Sequence, residues 1–315
     1  MLRLDEILKD KKTVGIAGHI NPDGDCVGSC LAVYNYIRTY HKDIDVQVYL
    51  DPFPTIFCFL TGSDTIIAAD GSEKAFDLFI ALDCGDARRL GNSAPYFAAS
   101  LHTLCVDHHL SNDSFAETNY IFPHKSSTCE LVMELVDEEK ITKEIAECLY
   151  TGMMTDTGVF KYSSTTSETM RKAGVLMDTG IDFGRMIDDV FYAKTYHQNQ
   201  IMGQALLKAK LHEGGQIISS VIEKEEMERF EVLPKHMEGI AEQLRLTTGV
   251  VVAIFLYDNG KGYKVSTRAN GEKVNLAALA QKYDGGGHAK AAGFSVVGDP
   301  NEAIERIVAD IKELL

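Results

Sequence analysis

Apolar residues recur along this chain in two alternating rhythms. Short runs bounded by turn residues read as strands: TVGIAG (13–18), DVQVYL (45–50), FDLFIALD (76–83) and HTLCVD (102–107). Between the first two, CVGSCLAVYNYIRTY (26–40) has helical spacing. Strands alternating with helices predict an α/β fold: a parallel sheet with helices on both faces. Three helical segments follow: STCELVMELVDEE, TKEIAECLYTGMMTD and SETMRKAGVLMDTG, the last closing on Gly180 as a C-terminal cap. The pattern from Phe183 to Lys210 carries few turn signals and predicts a helical linker. After it, QIISSVIE, VVAIFLYD and GYKVSTRA read as strands, with helices near 236–246, 275–282 and 300–314. The expected organisation is a first domain over 1–183, a linker over 184–210 and a smaller α/β domain over 211–315.

Composition narrows this picture only where charge and cysteine enter. A chain of 315 residues suits two domains. No apolar stretch approaches the ~20 residues of a membrane span. MLRLDEILKDKK lacks a signal-peptide core, so the expected location is cytoplasmic and no membrane partner is expected. The seven cysteines all lie at or before Cys148 and form no CxxC pair, which reads as buried free thiols. Lys and Arg number 31 against 46 Asp and Glu, a net charge of -15. That field repels long polyanions and argues against long duplex DNA as a partner. A phosphate substrate remains compatible, because bound cations invert the charge inside one cleft.

The candidate chemistry lies at strand ends. TVGIAG runs into His19-Ile-Asn-Pro-Asp23-Gly-Asp25, FIALD ends at Asp83, and HTLCVD ends at Asp107-His108-His109. Ligands of open parallel sheets bind outside the carboxyl ends of the strands. Asp156, closing a helical run, is expected to reach the same crevice. Five carboxylates gathered there repel one another, and two divalent cations would supply four compensating charges. Carboxylate oxygens suit Mg, Ca and Mn, while imidazole shifts the preference toward Mn, Co or Zn. With no thiolate in the set, Mn2+ is the first choice, with Mg2+ or Co2+ as alternatives. A pair of metals bridged by one carboxylate is the usual clamp for attack on phosphorus. Each element alone has a plainer reading: NPDG as a turn, a strand-terminal Asp as a helix cap. Their conjunction in this order points to metal chemistry.

Together these residues resemble the DHH phosphoesterase family. His19 to Asp25 resembles its first motif, Asp83-Cys-Gly-Asp86 the second, Asp107-His108-His109 the third and Asp156-Thr157-Gly158 the fourth. Asp284-Gly285-Gly286-Gly287-His288 resembles the glycine-rich motif of the DHH-associated C-terminal domain. The resemblance implies that His19 and Asp23 bind one metal, that Asp25, His108 and Asp156 bind the other, and that Asp83 bridges them. Asp107 would orient a His ligand, and His109 would face the substrate phosphate. Water activated by the metals would be the nucleophile. Arg88 is a candidate phosphate contact, balanced by a reading as a solvated helix end. SSTCE (126–130) fits a helix-capping signature.

In the second domain, three consecutive glycines allow close backbone approach and offer N–H groups to an anion. Gly285, Gly286, Gly287, His288 and Arg268 are therefore candidate substrate residues. The linker is expected to let two rigid domains close over short substrates. The resemblance favours a 3′-to-5′ nano-RNase that also acts on 3′-phosphoadenosine 5′-phosphate, with a homodimer possible. A soluble phosphodiesterase for cyclic-di-AMP or its linear product is the alternative, and a non-catalytic nucleotide-binding module is a third. A family II pyrophosphatase is disfavoured by the glycine-rich motif, and a RecJ-type DNA exonuclease by the acidic surface.

Overall fold

Aliphatic runs form strands where the pattern places them. Helix α1 (Leu4–Leu8) precedes β1 (Thr13–Ala17), α2 (Gly24–Tyr40) and β2 (Asp45–Tyr49). Then come β3 (Leu78–Leu82), α3 (Ala94–Ala99), β4 (Thr103–Asp107) and β5 (Thr118–Ile121). Helices α4 (Thr128–Leu135), α5 (Lys143–Asp156) and α6 (Ser167–Asp178) follow. This is a computed structural model, describing residues 2–271 and 273–314. The sheet is parallel throughout, in the order β2-β1-β3-β4-β5. Only β5 was not expected.

Strand β3 shows why both faces are covered. Leu78, Ile80 and Leu82 join a core with Leu31 of α2, Leu131 of α4 and Leu149 of α5. Phe79 and Ala81 point the other way, into a cluster with Tyr49, Phe76, Tyr96 and Phe97. In this strand order the winding reverses between β1 and β3, so a crevice opens at their carboxyl ends. Small residues let α2 and α5 approach closely. A Cβ on Gly28 would stand 2.4 Å from the Cys148 carbonyl oxygen, and one on Gly152 would stand 2.6 Å from Asp25 Oδ1.

The segment expected as a helical linker is broken. Helix α7 (Phe183–Ile187) runs into a π-helical turn at Asp188–Tyr192, and Ala193 is extended. Helix α8 (Tyr196–Leu207) then starts anew. The restart is written in the chain: Thr195 caps the Gln198 N–H, and the Gln198 side chain returns to the Thr195 N–H, a reciprocal T-x-x-Q cap. The chain divides into two compact units, Met1–Ala193 and Lys194–Leu315.

The second unit continues with β6 (Lys210–His212), β7 (Ile217–Ile222), α9 (Lys224–Arg229) and α10 (Ile240–Arg245). It ends with β8 (Val252–Asp258), β9 (Tyr263–Ala269), α11 (Leu276–Gln281), β10 (Gly286–His288), β11 (Ala291–Val296) and α12 (Pro300–Lys312). Its sheet is mixed, in the order β10-β11-β9-β8-β7-β6. Apolar clusters cover both faces, one built with α11 and α12 and the other with α8 and α10. Among the described residues no helix is long and apolar enough to cross a membrane. All seven cysteines are free, and all but the exposed Cys58 are buried.

Candidate metal centre

The crevice between β1 and β3 receives the side chains named from the sequence. His19 follows β1 and Asp83 follows β3; His19 Nε2 lies 3.4 Å from Asp83 Oδ2 and 3.7 Å from Asp23 Oδ2. On the other side, His108 Nε2 lies 3.1 Å from Asp156 Oδ2, 3.6 Å from Asp83 Oδ1 and 3.9 Å from Asp25 Oδ2. Asp83 thus turns one oxygen to each group, and its backbone is left-handed at φ 54° to do so. Two donors bound to one cation at about 2.1 Å stand about 3.0–3.5 Å apart, so these separations fit a metal within a few tenths of an ångström.

Local backbone features aim each ring. His19 Nδ1 is bonded to the Ile20 carbonyl (2.7 Å) and His108 Nδ1 to the Lys125 carbonyl (3.3 Å). Both Nε2 atoms are therefore left for the cluster. Asp23 does two jobs. Its Oδ1 caps α2 by accepting from the Asp25 and Cys26 N–H groups, and its Oδ2 faces His19. Asp25 is fully buried and accepts from the N–H groups of Thr128 (2.6 Å) and Cys129 (2.9 Å), the first turn of α4. The free N–H groups and positive end of that helix stabilise a carboxylate there. Thr128 also donates its hydroxyl to Asp83 Oδ1 at 3.1 Å. Asp156 closes α5, after which Gly158, Val159 and Phe160 are all left-handed. A β-branched residue in that region is a strained conformation.

The charges show what the cluster lacks. Burial pushes Asp25 well up, and the charges of Asp83 and Asp156 push it further. Asp156 is raised by burial against the opposing hydrogen bond from His108. Burial alone would lower His19, but its bonds to Asp23 and Asp83 outweigh that and lift it to about 11. His108 is likewise lifted, against burial, to about 10 by Asp156, Asp25 and Asp83. The carboxylates around both rings therefore favour positive charge at this place. Cys26, read from the sequence as a buried free thiol, brings its sulfur into the neighbourhood of His19 and Asp83. Burial holds that thiol neutral, so it adds no thiolate to the donor set.

Asp107 departs from its expected role. It bonds His109 Nδ1 at 2.7 Å rather than the His108 ring, and Asn112 fixes its other oxygen at 2.6 Å. These bonds hold Asp107 low against burial, and the Asp107 carboxylate raises His109. His109 Nδ1 also lies 3.7 Å from Asp83 Oδ1. Arg88 is not brought into the cluster: its guanidinium is solvent-exposed and pairs with Asp86. Asn112 and Thr128 are the side chains that sequence reasoning missed; Thr128 was visible only as part of a cap.

In the second unit the glycine-rich motif is a strand rather than an open turn. Antiparallel pairing sets His288 opposite Ala291, and Ala291 opposite Arg268, so His288 and Arg268 share one face and one row of the sheet. A Cβ on Gly285 would meet the Gly293 carbonyl at 2.4 Å, and one on Gly287 would meet the Ala291 carbonyl at 2.5 Å. Close strand packing therefore explains both glycines. Gly286 alone borders open space. Arg268 lines a groove of about 250 Å³ with Lys235, Tyr257 and Ser266.

Known proteins match both units. Residues 13–153 match the DHH family, N-terminal domain, and residues 198–315 match the DHHA1 domain. The bifunctional oligoribonuclease and PAP phosphatase NrnA of Thermus thermophilus is 30% identical over 98% of this chain and 93% of its own. An exopolyphosphatase-related protein from Bacteroides fragilis shares the fold, with a TM-score of 0.83 and 28% identity over 98% of this chain and 95% of that one. RecJ of Thermus thermophilus, solved in complex with Mn2+, resembles it in fold alone, with a TM-score of 0.51 and 12% identity over 99% of this chain and 54% of that one. The chain belongs to the DHH phosphoesterase family and carries its C-terminal DHHA1 domain.

Proposed function

We propose that this chain is a hydrolase that cleaves short oligoribonucleotides from the 3′ end and removes the 3′-phosphate of 3′-phosphoadenosine 5′-phosphate. The observation that carries the chemistry is Asp83, whose two oxygens face two separate His and Asp groups. His19, Asp23 and Asp83 would hold one divalent cation; Asp25, Asp83, His108 and Asp156 would hold a second. Mn2+ suits this mixture of imidazole and carboxylate. Such a pair supplies Lewis-acid chemistry, acidifying water and neutralising charge at phosphorus.

The protein's own groups do the rest. Asp107 holds the His109 ring by its Nδ1 and its carboxylate favours the charged ring, which suits a contact from Nε2 to a phosphate oxygen. Arg268 and His288, in one row, suit the nucleotide end, and the open backbone at Gly286 suits a phosphate. The names of NrnA relatives support the substrate class. The test is a substrate panel of dinucleotides to 20-mers, 3′-phosphoadenosine 5′-phosphate and cyclic-di-AMP, each with Mn2+ and Mg2+. Dinucleotides and 3′-phosphoadenosine 5′-phosphate should turn over, and Arg268→Ala should raise KM more than it lowers kcat. Turnover of cyclic-di-AMP alone would overturn the assignment.

A further inference from the structure

Glu130 looks, from the sequence, like the end of a helix cap, but its side chain does something else. In a capping box the N3 carboxylate returns to the N-cap N–H. Ser127 is the N-cap here and accepts the Glu130 N–H at 3.1 Å, yet the Glu130 carboxylate reaches one residue further back. Its Oε2 accepts from Ser126 N–H (3.1 Å), Ser126 Oγ (2.6 Å) and Thr169 Oγ1 (3.0 Å), while Oε1 accepts from Lys172 Nζ (3.3 Å). All four donors converge on a side chain that is 1% exposed. Capping therefore does not account for Glu130.

What Glu130 holds is a strap. Residues 125–129 make four hydrogen bonds to three candidate metal ligands: the Lys125 carbonyl on His108 Nδ1, the Thr128 and Cys129 N–H groups on Asp25, and the Thr128 hydroxyl on Asp83. Ser126 sits inside that strap and is bound through both its backbone and its hydroxyl. Resting on the metal-centre reading above, we infer that Glu130 is a positioning residue, which fixes the strap through Ser126 and so sets His108, Asp25 and Asp83 at metal-binding separations. An amide cannot replace it. Ser126 N–H lies against one oxygen and Lys172 Nζ against the other, both donors only, so a Gln would turn its own NH2 toward one of them.

The experiment is Mn2+ titration calorimetry on the full chain and on Glu130→Gln, Ser126→Ala and Glu134→Gln, with 15N NMR of the imidazoles in the metal-free proteins. Glu134 belongs to the same ion network through Lys172 and the side chain of the strap's Lys125, but among the described residues it makes no bond to the strap's backbone. Glu130→Gln should weaken Mn2+ binding by about 10–100-fold and shift the His108 ring signals. Ser126→Ala should do so to a smaller degree, and its milder change keeps the test decisive if Glu130→Gln does not fold. Glu134→Gln should lose stability yet bind Mn2+ like the parent. Parent-like affinity in both Glu130→Gln and Ser126→Ala, or equal loss in Glu134→Gln, overturns the positioning role alone. A parent chain that takes up no Mn2+ overturns the metal centre as well.

Discussion

Two clusters of acidic side chains lie in the first unit, and proximity alone does not tell them apart. Asp25, His108 and Asp156 bring ligand atoms within 4.8 Å of one another, and so do Glu130, Glu134 and Glu168. The difference is where the positive charge comes from. The Glu cluster contains Lys125 and Lys172, with Lys125 Nζ 2.5 Å from Glu134 and 2.7 Å from Glu168, and Lys172 Nζ 2.6 Å from Glu134. Its carboxyls are held low; the Lys125 bond takes Glu168 to about 2. Among the described residues the Asp cluster has no lysine or arginine in its ion pairs, and its groups move the opposite way: Asp25 and Asp156 rise, as do His19 and His108. Closeness of carboxylates identifies crowding. A shortage of counter-charge identifies a cation site.

The largest test of that contrast is kinetic. Asp83→Ala removes the carboxylate shared by both groups and should cut hydrolysis by about 10³-fold or more, the rate equivalent of several kcal/mol of metal stabilisation. Glu134→Gln should retain the parent kcat. Steady-state rates on a dinucleotide with Mn2+ compare the two, and equal crippling would erase the distinction.

Proton exchange comes next. His19 and His108 hold protons at neutral pH in the metal-free chain, so Mn2+ must displace them. Apparent affinity should climb roughly tenfold per pH unit for each proton released. Binding heats at pH 7 in two buffers of different ionisation enthalpy measure this, and identical heats would mean that the imidazoles were already neutral.

Stability sharpens the same point. The folded values of about 11 and about 10 lie above the ordinary 6.5, so the imidazolium contribution is fully present below about 6.5. It is lost as pH rises through about 10 to 11. The EDTA-treated chain should therefore lose Tm between pH 7 and pH 10.5 more steeply than the Mn2+-loaded chain. A parallel fall of both would count against cation hunger at the cluster. The smallest effect is expected at Glu168→Gln. Its side chain is 46% exposed, so the loss should be about 0–1 kcal/mol, with Mn2+ affinity unchanged. Thermal scans with and without Mn2+ read both.

Much of this was legible in advance for a local reason. Strand β1 ends at Ala17 and β3 at Leu82, within a residue of the expected ends, because alternating and apolar periods are properties of neighbouring residues. The meeting of His19 and Asp83 followed from strand-end placement, whereas Asp156 arrives from the end of helix α5. The linker helix failed although its signal was present: Thr195 and Gln198 spell a cap inside the helical pattern. The glycine motif was misread more deeply. Gly285 and Gly287 are small because strand β11 lies against them, which no local pattern reveals.

By itself the sequence determined the kind of chemistry, since residue identity sets which charges and donors exist and local periodicity sets which of them end strands. Tertiary structure alone decided how those groups are held. The N–H groups that grip Asp25 come from residues 103 and 104 positions away. The carbonyl behind His108 comes from the strap that Glu130 ties down. Such contacts depend on where distant segments pack, so they leave no period or motif in the chain.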